Sequence, residues 1–194
     1  AVGKPFRNMA AVLKEGQVVC TYQKQLLPFY DVFDELRYYQ PGDSLAVFEV
    51  EGVRVGVTIC EDLWNDKTSD DYNYDNNPAE RYRRAGVGVL LSLNSSPYVH
   101  DKCWHRINMI ARSNEPSVTV VYVNQRGGQD ELVFDGQSFV MRGDDLLYLS
   151  QELFEDSFDV VDLASGAQPI VRSVRAHAQS VRERSVALFD LLQL

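Results

Sequence analysis

Basic residues, paired cysteines and long apolar runs are scarce in this chain. Lys and Arg number 19 against 28 Asp and Glu, a net charge of −9. That balance argues against a nucleic-acid binder, because neutralising a phosphate backbone takes clustered cations. Cys20, Cys60 and Cys103 are an odd three without C-x-x-C spacing. Neither a disulfide framework nor a zinc ribbon is expected, and a reducing, cytoplasmic setting is. No stretch approaches the roughly 20 apolar residues of a membrane span, and no signal peptide is visible. His100, Cys103 and His105 make no convergent metal site, since helical positions five apart diverge by roughly 140°. Asp66, Asp70, Asp71 and Asp75 lack the glycine and glutamate of a calcium loop.

What remains is ordinary globular composition in 194 residues, 45% of them hydrophobic, long enough for a substantial core. The chain is organised around residues 53–64. Val53, Val55, Val57 and Ile59 alternate with Arg54, Gly56, Thr58 and Cys60, the period of a strand. That strand stops at a thiol, two carboxylates and Trp64, and Gly56 leaves room for a close approach. Residues 8–13 and 17–22 read as a hairpin turning at Gly16, and 46–50 with 53–59 as another turning at Glu51-Gly52. One helical turn is expected at 34–39 within an ordered aromatic loop over 26–42, and an exposed polar loop over 65–77. Asn77 as cap with Pro78 at the first helical position opens a helix that Gly86 closes. Strands follow at 87–93 and 118–123, around a helix capped by Asp101 and running to Asn114. Its apolar side is read as Cys103, Trp104, Ile107, Ile110 and Ala111. A glycine-rich loop over 124–130 precedes weaker strands at 137–141, 146–149 and 159–163, with Arg142-Gly143-Asp144 as a hairpin turn. Residues 172–192 read as an amphipathic helix. Hairpins followed by helix–strand–helix–strand predict a mixed α/β layered domain.

Cys60 at a strand's end admits two readings, a nucleophile or a small buried hydrophobe. Lys24 is either a solvated lysine or an ammonium that reaches Cys60, favouring the thiolate and later a developing oxyanion. Glu35 either pairs with Arg37 or a nearby lysine, or belongs to the same site. Glu61 and Asp62 follow the thiol directly; with the strand ending at Cys60 their backbone N–H groups are free to point at substrate, while their side chains are read as capping the turn.

The run Tyr22-Gln-Lys24-Gln-Leu-Leu-Pro28-Phe-Tyr30-Asp-Val-Phe33-Asp-Glu35-Leu-Arg37-Tyr resembles the lysine motif of the nitrilase (carbon–nitrogen hydrolase) superfamily. Gly56-Val-Thr-Ile-Cys60-Glu61-Asp62-Leu-Trp64 is similar to its cysteine motif. The Cys-Glu-Asp-x-Trp form is similar to the glutaminase domains of the glutamine-dependent NAD+ synthetase subfamily. Further similar stretches are Asn94-Ser-Ser96-Pro-Tyr98 and the run from Tyr122 to Gly136. The resemblance implies a four-layer αββα sandwich, incomplete at its N-terminus, with a Glu-Lys-Cys triad. It implies Cys60 as nucleophile, Lys24 as the polarising lysine and Glu35 as the supporting glutamate. It places Tyr30, Phe33, Glu61 and Ser96 in a glutamine pocket, with Lys102 close by.

In this family the general-base glutamate lies upstream of the lysine motif, so the chain is expected to be an internal fragment that begins after it. Residues 1–165 are expected to form the partial hydrolase domain and 166–194 a helix or linker toward a synthetase domain of the same parent chain. No cofactor or metal is expected in this domain; ATP and Mg belong to the synthetase domain. Glutamine is the implied substrate and a homo-oligomer the implied assembly. The rival readings are a stand-alone amidase or carbamoylase of the same superfamily, and a non-catalytic oligomerisation module.

Overall fold

The computed structural model describes residues 3–65, 74–163 and 168–174. Most of the helix expected at 172–192 lies outside the described residues. So do Asp66, Asp70 and Asp71.

Two hairpins open the chain. Strands β1 (Met9–Lys14) and β2 (Gln17–Gln23) pair antiparallel, as do β3 (Val47–Val50) and β4 (Val53–Ile59). Each turns on a Glu-Gly pair with both residues at positive φ: Glu15 and Gly16, then Glu51 and Gly52. That backbone matches the twist of the flanking strands. Between the hairpins, α1 is a single turn, Glu35–Tyr38. The chain then alternates through α2 (Pro78–Arg84), β5 (Val89–Asn94), α3 (Lys102–Ser113) and β6 (Thr119–Asn124). Asn77 caps α2 as expected, its side chain accepting from the Glu80 N–H. A hairpin of β7 (Arg126–Gln129) and β8 (Leu132–Asp135) follows, and then β9 (Phe139–Arg142) and β10 (Asp145–Leu149).

Six strands form the central sheet in the order β10-β9-β6-β5-β4-β3, with β4, β5 and β6 mutually parallel. The mixed α/β class expected from the sequence is the one observed. One face of the sheet is closed by α2 and α3, between which Leu90 and Val120 project. On the other face Leu93 and Val123, at the ends of β5 and β6, are 46% and 47% exposed.

Gly56 is a point of close approach between the sheet and α2. A methyl group there would come within 2.6 Å of the Tyr82 ring. That ring is pinned by its hydroxyl, which donates to Val57 O and accepts from the Ala46 N–H. Gly56→Ala is therefore expected to cost about 1–3 kcal/mol by overpacking, read as a fall in the urea midpoint.

Four local expectations are corrected. The glycine-rich run over 124–130 is not a loop, because β7 pairs through it with β8. The stretch 159–163 is not a strand: it has no pairing partner, and Val160 is 89% exposed. Asp101 does not cap α3 with its side chain. It adopts φ 60°, and its carboxylate lies 3.1 Å from His100 Nδ1. Trp104 is on the exposed side of α3, and the place in the apolar stripe is taken by Arg106, which is fully buried.

Candidate active site

Parallel strands deliver their C-terminal ends to one edge of a sheet, where α/β proteins build their sites. Here Ile59 pairs with Leu93 and Asn94 with Asn124, so Cys60, Ser95 and Asn124 emerge together. All three line an open cavity of about 1220 Å³. Cys60 begins a single 3-10 turn, Cys60–Leu63, at a φ of 45°. This left-handed backbone is rare for a residue with a Cβ and costs about 1–2 kcal/mol.

Lys24 enters the same cavity from the end of β2. Its backbone is held on both sides, the N–H donating to Asn8 O at 2.9 Å and the carbonyl accepting from the Gly42 N–H at 2.8 Å. Only 2% of its side chain is exposed, and the ammonium donates to Glu35 Oε1 at 2.7 Å. Of the alternatives for Glu35, the lysine pairing is the one realised; Arg37 pairs with Asp34 instead. Asn8 Nδ2 also reaches Glu35 Oε2, at 3.4 Å.

Burial pushes the Cys60 thiol above its ordinary range, and the Lys24 ammonium is the strongest influence in the other direction. Glu61 and Glu35 raise it, and the Ser95 N–H lowers it. The Glu61 carboxyl is raised by burial, against hydrogen bonds from two phenols. Tyr30 donates to it at 2.8 Å and Tyr74 at 3.0 Å. Tyr74 and the buried Asn65, which donates to Tyr74 O, show that both ends of the loop expected to be exposed over 65–77 are anchored.

Phe33 meets Tyr30 edge-on at 6.0 Å. Lys102 holds its ammonium 4.8 Å from the centre of the Trp64 ring, which also stacks on His105. Lys24, Glu35, Cys60, Tyr30, Phe33, Glu61, Ser96 and Lys102 all line the one cavity.

Three residues that sequence reasoning left out hold this site together. Arg106 and Asp135 form a fully buried bidentate ion pair, each bond 2.9 Å long. The same guanidinium donates to Ser96 Oγ, Ser96 O and Pro97 O. Ser96 is thus tied down through its side chain, and its N–H donates to Asn124 Oδ1 at 2.9 Å. The legible signal was an arginine at i+3 from Cys103 and i−4 from Ile110, a charge inside an apolar stripe. Among the described residues no cluster of His, Cys, Asp and Glu could hold a metal ion. No described helix is long and apolar enough to cross a membrane.

The sequence profile of the carbon–nitrogen hydrolase family matches residues 2–144. The glutamine-dependent NAD(+) synthetase of Acinetobacter baylyi is 40% identical over 159 residues, covering 79% of this chain and 28% of that protein. The Thermotoga maritima protein of the same name is 39% identical over 157 residues, covering 80% and 26%. A glutamine-dependent NAD+ synthetase structure from Acinetobacter baumannii superposes with a TM-score of 0.69 at 36% identity, covering 86% of this chain and 32% of that one. A nitrilase-superfamily amidase from Nesterenkonia superposes at 0.62 with 19% identity, covering 91% and 60%, a likeness of fold. The chain spans less than a third of the synthetases it matches.

Proposed function

The chain belongs to the carbon–nitrogen hydrolase family, and we propose that within it this domain hydrolyses the side-chain amide of glutamine. The observation that carries the reading is the pairing of the buried Lys24 with Glu35 in the cavity that Cys60 lines. In the proposed cycle the Cys60 thiolate attacks the carboxamide carbon. The Lys24 ammonium and a nearby backbone N–H hold the oxyanion, ammonia leaves, and water cleaves the glutamyl thioester. Proton transfer falls, by family resemblance, to a glutamate upstream of the lysine motif. Glu35 fixes the lysine's position. Glu61, held by two phenols, is the group for the α-ammonium of glutamine, with Phe33, Ser96 and Lys102 around the rest. That carboxylate favours glutamine over the small amides of a stand-alone amidase or carbamoylase, which bring no ammonium.

The ammonia would serve a synthetase domain of the same parent chain, where ATP and Mg would bind; we assign no cofactor to residues 1–165. Residues 166–194 would lead toward that domain, and the working assembly would be a cytoplasmic homo-oligomer.

A diazoketone analogue of glutamine tests the assignment, because it alkylates a thiol only where glutamine would sit. Label is expected on Cys60 and not on Cys20 or Cys103, with glutamine protecting. Equal labelling of the three, or no protection, would reject the site. Iodoacetamide gives the pH dependence. Since burial raises the thiol and Lys24 lowers it, alkylation of Cys60 should rise with pH to a midpoint above that of an ordinary thiol. Lys24→Met should move the midpoint higher still, slowing the reaction at neutral pH by roughly tenfold for each pKa unit of displacement.

A further inference from the structure

Asp62 is fully buried in the turn that carries Cys60, yet it faces the lysine segment. Its Oδ1 accepts the backbone N–H groups of Gln25, at 3.0 Å, and Leu26, at 2.9 Å. Its Oδ2 accepts the Tyr22 hydroxyl at 2.8 Å and the Ile59 N–H at 2.9 Å. Three of the four donors flank Lys24 along the chain, on both sides of it. The fourth belongs to the residue just before Cys60.

We propose that Asp62 is the positioning residue that sets the approach of Lys24 to Cys60, by holding both chain segments on one carboxylate. The inference rests on the reading of Lys24 and Cys60 given above. The two residues come from separate hairpins, β1–β2 and β3–β4, which are 36 positions apart at these points. A lysine can tune a thiolate only at a fixed separation, because the interaction falls with distance and with any water admitted between the groups. The carboxylate supplies that fixity in the backbone, before any side chain chooses a rotamer. Four donors converge on it, three of them backbone N–H groups that can only donate, and both carboxyl oxygens are taken up in accepting them. An amide in its place turns a donor toward at least one backbone N–H.

The test reads Cys60 itself. Alkylation by iodoacetamide, followed against pH by mass spectrometry, senses the groups around the thiol: Lys24, Glu35, Glu61, the Ser95 N–H, and the phenols of Tyr30 and Tyr122. Asp62→Asn should move the midpoint upward and slow alkylation at neutral pH by about tenfold, as Lys24→Met does. In the Asp62→Asn background, Lys24→Met should then add little. Tyr22→Phe removes one donor and leaves three. It should move the midpoint the same way with about a threefold loss, and it carries the test if Asp62→Asn does not fold.

A role confined to stability predicts otherwise: a lower melting temperature, an unmoved midpoint, and an undiminished effect of Lys24→Met. That result overturns the positioning role alone. A midpoint that Lys24→Met itself fails to move overturns the coupling of Lys24 to Cys60, and this inference with it.

Discussion

In a protein that joins this domain to a synthetase, Cys60→Ala is expected to abolish NAD+ formation from glutamine and leave formation from free ammonia intact. The loss should be about 10⁴-fold or more, the scale seen when a nucleophile is removed from a cooperating set. The variant is a clean test because little else changes. Alanine at a φ of 45° carries the same backbone strain as cysteine, and Lys24 keeps its partner Glu35. Parallel assays with glutamine and with ammonium salts separate the two activities. Glutamine use that survives the substitution would remove Cys60 from the mechanism.

The second large effect is on stability. Asp135→Ala leaves the Arg106 guanidinium in a site with no solvent exposure and no counter-charge. Stranding one member of a buried pair costs about 3–5 kcal/mol, which for a urea slope of about 2 kcal/mol/M displaces the midpoint by about 1.5–2.5 M. Replacing both members by apolar residues, Arg106→Met with Asp135→Leu, should recover much of that loss. It should not recover reactivity toward the glutamine analogue. The guanidinium's bonds to Ser96 and Pro97 would be gone, and with them the tether on the segment beside Cys60. Stability regained without labelling is the expected signature; labelling regained with it would limit the pair to a structural role.

Much of the fold was legible because local chemistry and tertiary need agree in it. The Glu-Gly turns, the Asn77-Pro78 helix start and the alternation from Val53 to Ile59 all act within a few residues of themselves. Motif resemblance singled out Lys24, Glu35, Cys60 and Glu61, and the structure brings these four to one cavity. The contacts that support that cavity were not legible. Asp62 acts on residues more than thirty positions away, and Arg106 meets Asp135, at the end of β8, across 29 positions. Neither contact leaves a periodicity in the chain. The β7 strand was missed for the opposite reason: two glycines lower its local propensity, and cross-strand pairing overrides it.

The left-handed backbone at Cys60 sets stability against chemistry at a single position. Glycine would occupy that conformation without a clash, so Cys60→Gly should relax the elbow while erasing the thiol. Under the proposed reading that exchange gains stability and loses amide cleavage in one step.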